Sequence, residues 1–393
     1  MNAPGRLPRW AELGLLPVVS LAVALAASAA VIAIAGENPC NALRLLATGA
    51  FGSQEAVGYT LYYATNFIFT GLAVVVAYHA GLFNIGCEGQ AYLGGLGVGL
   101  VCLGLDHRWP FWAILPLALV AAAGFGAAWA FIPAWLQARR GSHVVITTIM
   151  FNFIASALMT YLLVEVLIKP GQQSPESREF ASAAWLPTLP ALLGRMGIGV
   201  SASPVNLAFV LALAAAGLVW VFLWRTRWGY ELRTVGHNPA AAVYAGISPA
   251  RVTVVAMLIS GGLAGGLGLN EVMGVQHRLL LDFPGGAGFV GIAVALMGRN
   301  HPVGIFLAAV LFGALYQGGS QLSFDLPRLN RDLVVVIQGL VILSCGALEN
   351  LYRGPLARMF RNVANAATSD GGPGAVRATD SIDGSDGPPA PQP

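Results

Sequence analysis

Hydrophobic residues run along this chain in long unbroken blocks rather than at alternating spacing. The blocks cover positions 13–35, 61–105, 111–136, 144–168, 206–224, 252–269, 289–298, 303–318 and 333–348. A helix needs about 20 apolar residues to cross a bilayer core. The block at 61–105 holds two such lengths folded around a Gly-rich segment, so the pattern predicts an all-α polytopic membrane protein of about ten transmembrane helices with broken or re-entrant segments. The block at 289–298 is the short one; extending it back to Leu279 makes a span but places Asp282 near a membrane face. The first block is too long for the apolar core of a cleaved signal and reads as a retained helix. The resulting division is a cytoplasmic N-terminus at 1–12, a transmembrane domain at 13–348 and a tail at 349–393.

Composition sharpens the picture. Hydrophobic residues make up 56% and charged residues 10%, whereas a soluble domain carries roughly 25% charged. Too few charges remain to cover a water-facing surface, so lipid covers most of it. A soluble enzyme and an ordinary nucleic-acid binder are excluded, and the continuous runs exclude an outer-membrane barrel, whose strands alternate. Cys40, Cys87, Cys102 and Cys345 form no CxxC pair, so neither a disulfide framework nor a zinc site is indicated. Positive charge settles the expected orientation. With the N-terminus inside, the clusters Arg139-Arg140, Arg225–Arg251 and Arg353–Arg361 all fall inside, which predicts both termini in the cytoplasm. Residues 362–393 are rich in Gly, Pro, Ala, Ser and Asp without an aromatic and are expected to be disordered.

Three segments carry candidate chemistry. In GLFNIGCEGQ (81–90), Asn84, Glu88 and Gln90 sit inside a long apolar stretch among glycines. A carboxylate at membrane depth faces protein or water, so the segment reads either as a broken helix lining a pathway or as a tight cytoplasmic turn with Glu88 at a helix N-terminus. Among other polar residues within the runs, Asn66 and Asn152 lie deeper than Glu165 or Glu271 and join the pathway candidates. The polar loop 225–251 contains Asn238-Pro239, a cap followed by Pro at the first helical position, then an Ala-rich stretch ended by Gly246. That predicts a short capped helix on the cytoplasmic face, a natural docking element. In GFVGIAVALMG (288–298), small residues at Gly288, Gly291 and Gly298 make a face for close helix packing. The chain has no GxxxxGK[ST] phosphate loop, no HExxH and no Asp-rich pair, so an embedded enzyme is not expected.

These segments resemble those of a known family. GLFNIGCEGQ (81–90) is similar to the signature of ABC-importer permeases for nucleosides and simple sugars, within the branched-chain amino acid and ribose permease superfamily. GSHVVITTIMFNFIA (141–155), GYELRTVGHNPAAAVYAGI (229–247) and GFVGIAVALMGRNHPVG (288–304) resemble the same family, in order, across about residues 10–355. The resemblance implies a permease of the cytoplasmic (inner) membrane, with no cofactor of its own. ATP and Mg would belong to a separate ABC ATPase subunit. A second permease subunit, expected as a heterodimer partner with a homodimer as the alternative, and an extracytoplasmic solute-binding lipoprotein complete the implied assembly. The 225–251 loop would receive the ATPase stroke through Glu231, Arg233, Gly236, Asn238, Pro239, Ala241, Ala242 and Gly246. Ala240 stands where an acidic residue is common, so Glu231 or Arg233 would supply the polar contact. The form of the first motif implies nucleosides as the solute, with simple sugars as the alternative. An ion-coupled secondary transporter using Glu88 is the reading from another class.

Overall fold

A computed structural model describes residues 15–326 and 331–346 of the chain. The predicted N-terminal segment 1–12 and the tail 349–393 lie outside the described residues. Among the described residues the regular structure is helical, apart from an isolated bridge between Thr188 and Asn206. The helices are α1 (Leu16–Ile34), α2 (Pro39–Phe51), α3 (Gln54–His79), α4 (Cys87–Leu105), α5 (Phe111–Arg140), α6 (Val144–Tyr161) and α7 (Leu189–Arg195). There follow α8 (Leu207–Arg225), α9 (Arg227–His237), α10 (Pro239–Tyr244), α11 (Pro249–Gly265), α12 (Ala287–Met297), α13 (Pro302–Asp325) and α14 (Arg331–Gly346). Wider π-helical turns extend α6 over Leu162–Val166 and follow α11 over Leu269–Gln276.

Helix boundaries follow local chemistry. Ser53 caps α3 by accepting from the Ala56 N–H at 3.0 Å, and Asn206 caps α8 by accepting from Ala208 at 2.9 Å. Each supplies an acceptor to an N–H that has no partner inside its helix. α5 closes on Gly141 in the left-handed region (φ 67°), with Arg139 and Arg140 in its last turn, where the helix dipole favours cations.

Six of these helices are long and apolar enough to cross a bilayer, or seven if α1 and α2, bent by 119°, make one span. The ten predicted spans are therefore not all continuous apolar helices. Among the others, α4 has 19 residues but carries glycine at six of them, α12 has 11 residues, and α14 has 16. α2 is a further helix in what the hydrophobic pattern had as a polar stretch.

The spans are not equivalent. The α3 span is 83% buried within the chain and the α11 span 67%, whereas those of α5, α6 and α8 are 17–22% buried. α3 and α11 form the centre; α5, α6 and α8 present Ile146, Phe153, Val120 and Leu218 outward, as lipid requires. α11 packs on α5 and α4 through glycine. A Cβ at Gly126 would sit 2.2 Å from the Gly261 carbonyl, and one at Gly94 would sit 2.2 Å from the Gly265 Cα, so only glycine permits backbones this close.

At one end of the bundle the loop 167–205 folds over the chain that follows the α11 turn. Phe180 N–H donates to the His277 carbonyl at 2.7 Å and Ser177 N–H to Leu279 at 3.0 Å. Trp185 stacks on His277 at 4.2 Å. Arg178 clamps the loop to the end of α4: its guanidinium donates to both Asp106 oxygens at 2.7 and 2.9 Å and to the Leu103 carbonyl at 2.7 Å. The Asp106 side chain is 1% exposed. Burial alone would raise its carboxyl; the bidentate Arg178 contact and the Ala181 N–H outweigh burial and hold it below the usual carboxylate range.

The clamp gives a pH-resolved prediction. A depressed folded-state value means the stabilisation is complete above the ordinary Asp value, about 4, and is lost as pH falls through the folded value. Asp106→Asn should cost about 2 kcal/mol at pH 7 by leaving Arg178 half-paired. Thermal unfolding in detergent should show that difference at pH 7 and its closure in strong acid; a gap that stays constant would refute the clamp.

Candidate functional site

The first polar site forms where two helices begin. α3 ends at His79, the backbone turns at Gly81 (φ 74°), and α4 starts only at Cys87. The non-helical stretch between them is pinned by side chains. Asn84 is fully buried; its amide donates to Gln90 Oε1 and to Ser260 Oγ, both at 2.8 Å, and its Oδ1 accepts from Gly86 N–H at 2.9 Å. Asn152 on α6 donates to the Ile85 carbonyl and accepts from Gly89 N–H, each at 2.9 Å. Asn84, Gln90 and Asn152 thus come together: Asn84 and Asn152 take up backbone groups of Ile85, Gly86 and Gly89, and Gln90 fastens Asn84.

Glu88 lies in the first turn of α4, part-buried, and faces the start of α12. Its two oxygens accept from Gly286 N–H at 2.8 Å and Gly288 N–H at 2.7 Å. α12 has no capping side chain of its own, since its N-cap is Gly286 at φ 83°. Glu88 supplies that cap across the fold and places negative charge at the positive end of the helix dipole. The expected packing glycines lie at close approaches. A Cβ at Gly288 would meet Glu88 N at 2.3 Å, at Gly291 Thr70 Oγ1 at 2.5 Å, and at Gly298 Ile305 N at 2.6 Å.

The segment leading into α12 is itself non-helical. From His277 to Gly286 it descends alongside α4, with Leu279 against Gly99, Phe283 against Gly95 and Gly288 against Glu88. His277 and Asp282 adopt left-handed backbone (φ 53° and 56°), and the Asp282 N–H is taken up by the Tyr92 hydroxyl. The short apolar block is the helical half of this discontinuous element.

A second polar cluster joins α3 to the wide turn after α11. Glu271 is 5% exposed; its Oε1 accepts from Tyr62 OH at 2.6 Å and from the Asn66 amide, and its Oε2 from Gln276 at 3.1 Å. Asn270 donates to Asn66 Oδ1 and accepts from Asn206, both at 2.9 Å. Position along the runs ranked Asn66 deeper than Glu271, but in the fold they are partners. No local signal marks the pairing, because 205 positions separate them; two polar residues in apolar runs were the only hint.

The loop 225–251 is mostly helix. Thr226 caps α9 by accepting from Gly229 N–H at 3.1 Å. Asn238 caps α10 by accepting from Ala241 N–H at 3.1 Å, Pro239 opens it, and Gly246 follows it at φ 75°. Gly236 packs α9 on the end of α3, where a Cβ would sit 2.1 Å from the His79 carbonyl. Ala242 is buried, whereas Ala241, Val243 and Tyr244 face outward, Tyr244 at 95% exposure. Tyr244 is the prominent side chain of this face, and the residues expected to form it did not include it.

Glu231 stands differently from its expected role as a free polar contact. It is 6% exposed and paired with Arg227 at 3.0 Å and Arg251 at 2.8 Å. Arg251 also lies over the Trp228 ring at 5.0 Å. A carboxylate held by two guanidiniums fastens α9 to the start of α11. Arg233 is half-buried and turned back along α9, toward the Gly229 carbonyl at 3.4 Å.

Two substitutions test these assignments. Glu88→Gln removes one acceptor and points an amide N–H at a backbone N–H, which should cost about 1–3 kcal/mol; an unchanged unfolding temperature in detergent would remove the cap from the argument. Gly236→Ala should lower that temperature by several degrees and expose the α3–α9 junction to protease. Wild-type protection in the alanine variant would mean that the two backbones do not meet.

Residues 56–345 match the family described as the permease component of branched-chain amino acid transport systems. The chain is 36% identical over 338 residues to the guanosine ABC transporter permease protein NupP of Bacillus subtilis, covering 85% of this chain and 94% of that one. It is 35% identical to the glucose ABC transporter permease protein TsgB13 of Haloferax volcanii, over 94% of this chain and 97% of that one. It is 30% identical to the nucleoside ABC transporter permease protein NupB of Lactococcus lactis, over 84% and 89%. A match over most of the chain, with the helical body and its two polar junctions inside the matched residues, places the protein: it belongs to the permease-component family of branched-chain amino acid transport systems, among the ABC transporter permeases.

Proposed function

We propose that this chain is one permease subunit of an ABC importer that moves nucleosides across the cytoplasmic membrane, with both of its termini in the cytoplasm. The observation that carries the reading is chain-long similarity to permeases named for guanosine and for nucleosides, at 36% and 30% identity. Energy comes from a separate ATPase subunit that holds ATP and Mg, and solute from an extracytoplasmic binding lipoprotein. The second permease is a different chain. Relatives from one organism occur in pairs, NupP with NupQ and NupB with NupC, which supports a heterodimer.

α10 is the element that meets the ATPase. Its cap and its glycine stop define a short rigid rod, and Val243 and Tyr244 give it an apolar face. A push on α10 passes to α9 and, through the Glu231–Arg251 pair, to α11. α11 leads into the wide turn whose Asn270 and Glu271 grip Tyr62 and Asn66 on α3. That chain of contacts links the cytoplasmic face to the centre of the bundle. The pathway lies between the two permeases; in this chain Asn84, Glu88, Gln90 and Asn152 shape it by fixing the two helix breaks.

A second reading, a simple-sugar importer, is favoured by the glucose permease relative at 35% identity over 94% of the chain. Ion coupling through Glu88 is disfavoured, because both of its oxygens are committed to backbone N–H groups.

Proteoliposomes holding all subunits decide the matter. Radiolabelled nucleoside should accumulate only with ATP on the ATPase side and should be indifferent to a protonophore. ATP-independent uptake would sink the proposal, and glucose uptake without nucleoside uptake would select the second reading. Gly246→Asp, which strains a left-handed position and puts charge on the docking face, should cut uptake at least tenfold while ATPase activity persists. Wild-type uptake in that variant would place the docking element elsewhere.

A further inference from the structure

The α3 and α13 helices carry facing polar stripes at one end of the bundle, the end formed by the α3 N-terminus and the α13 C-terminus. On α3 the stripe is Glu55, Tyr59 and Tyr63, at intervals of four. On α13 it is Gln317, Gln321 and Asp325, again at intervals of four. Residues four apart lie on one helix face, and the two helices run in opposite directions past each other. Five of these six side chains line a single cleft of about 480 Å³, closed at the back by the end of α2.

The cleft cannot be a lipid-facing surface. Gln317 and Gln321 are partly exposed within a helix long and apolar enough to span the membrane, and Glu55 and Asp325 are exposed beside them. Amides and carboxylates in such helices face protein or water. The outward faces of α5, α6 and α8 are mainly apolar, with Val120, Ile146, Phe153 and Leu218 exposed, although Glu165 is exposed near the end of the α6 span.

The lining is matched to a particular chemistry. Carboxylates accept strongly from hydroxyl groups, and glutamine amides both accept and donate; together they suit the adjacent hydroxyls of a sugar ring. Among the described residues no lysine or arginine lines the cleft. An aromatic series continues inward from Tyr59. Tyr63 lies 5.7 Å from Tyr316 between ring centroids, and Tyr316 lies 5.0 Å from Phe67. Tyr63 also lies 5.0 Å from Tyr62, which holds Glu271. Tyrosine faces take up a planar base by stacking, whatever the base. The volume falls within the range of small-molecule sites, about 300–1,000 Å³.

We propose that the cleft between Glu55, Tyr59, Gln317, Gln321 and Asp325 is a solute-receiving site of the transport pathway that takes a polyhydroxylated ring, with the Tyr59 ring in its wall stacking on an attached base. The proposal rests on the importer reading above and names the part of this chain that first holds solute. The hydroxyl chemistry is common to a free hexose and to the ribosyl group of a nucleoside, and Tyr59 in the lining favours the nucleoside.

The test uses the complete transporter in proteoliposomes, with radiolabelled guanosine and glucose assayed separately and ATP hydrolysis measured in parallel. The variants are Glu55→Gln with Asp325→Asn, Gln321→Ala, Tyr59→Ala and Tyr59→Phe. The carboxylate pair should raise the ATP hydrolysed per guanosine moved about tenfold, while stimulation of ATPase by the binding protein stays within twofold of wild type. Tyr59→Ala should impair guanosine more than glucose, and Tyr59→Phe should restore guanosine uptake. Size-exclusion profiles verify assembly of each variant, and a variant that does not assemble is replaced by photolabelling of the wild-type complex with 8-azidoguanosine. Label should then fall in the peptide around Tyr59 and be displaced by ribose. Unchanged uptake per ATP in assembled variants, or label elsewhere, overturns the site. Loss of ATPase stimulation together with loss of binding-protein capture makes the cleft a protein-docking surface and also overturns it. If wild-type vesicles move neither solute but the Tyr59 peptide is labelled and protected by ribose, the importer reading fails and the site stands.

Discussion

Inside a bilayer a peptide N–H or C=O has no water to bond, so each must find a partner within the protein. Among the described residues, helix gives way inside the bundle at 80–86 and at 277–286, and the arrangement around these stretches follows from that constraint. Glu88 answers it for the N-terminus of α12, and Asn84 and Asn152 answer it for the stretch before α4, with Gln90 fastening Asn84. These side chains come from α4, from α6 and from the stretch itself. Each break is thus held by tertiary contacts, and each break in turn fixes how α4, α6, α11 and α12 stand against one another.

Glycine and carboxylate act together at these junctions. Gly288 lets the α12 backbone come close enough for Glu88 to reach it, and Glu88 makes the approach favourable by accepting its N–H groups. The same pairing of close backbones and polar fasteners recurs toward the α10 face. There Gly236 allows α9 to touch the end of α3, and Glu231 ties α9 to α11. Glu231 and the α9–α10 junction tie α9, α10 and α11 together, and the contacts of Asn270 and Glu271 with α3 connect them to the centre.

The two polar stripes on α3 and α13 complete the account at the other end. The α3 stripe stands on the same helix that carries Tyr62 and Asn66, within two turns of Tyr62. On the assignments proposed above, docking at α10 and solute at the cleft would act on a shared set of contacts along α11 and α3.

Much of this was legible in the linear pattern. Apolar runs of bilayer length specify helices because unpaired backbone is intolerable in lipid, so the helical class and the positions of α3, α5, α6, α8, α11 and α13 follow from hydrophobicity alone. Capping is equally local: Asn238, Pro239 and Gly246 set the ends of α10 through contacts a few residues apart. Polar residues in apolar surroundings marked Asn84, Glu88 and Gln90 as positions needing partners. Which partners they take was decided only by tertiary structure, since Glu88 meets Gly286 and Asn66 meets Glu271 across some two hundred positions. The same holds for Glu231, whose local helix gives it Arg227 but whose burial depends on Arg251. It holds as well for the cleft, which exists only because two stripes from opposite ends of the chain are brought face to face. Local chemistry fixes where a helix begins and ends; long-range packing fixes what its exposed polar groups confront.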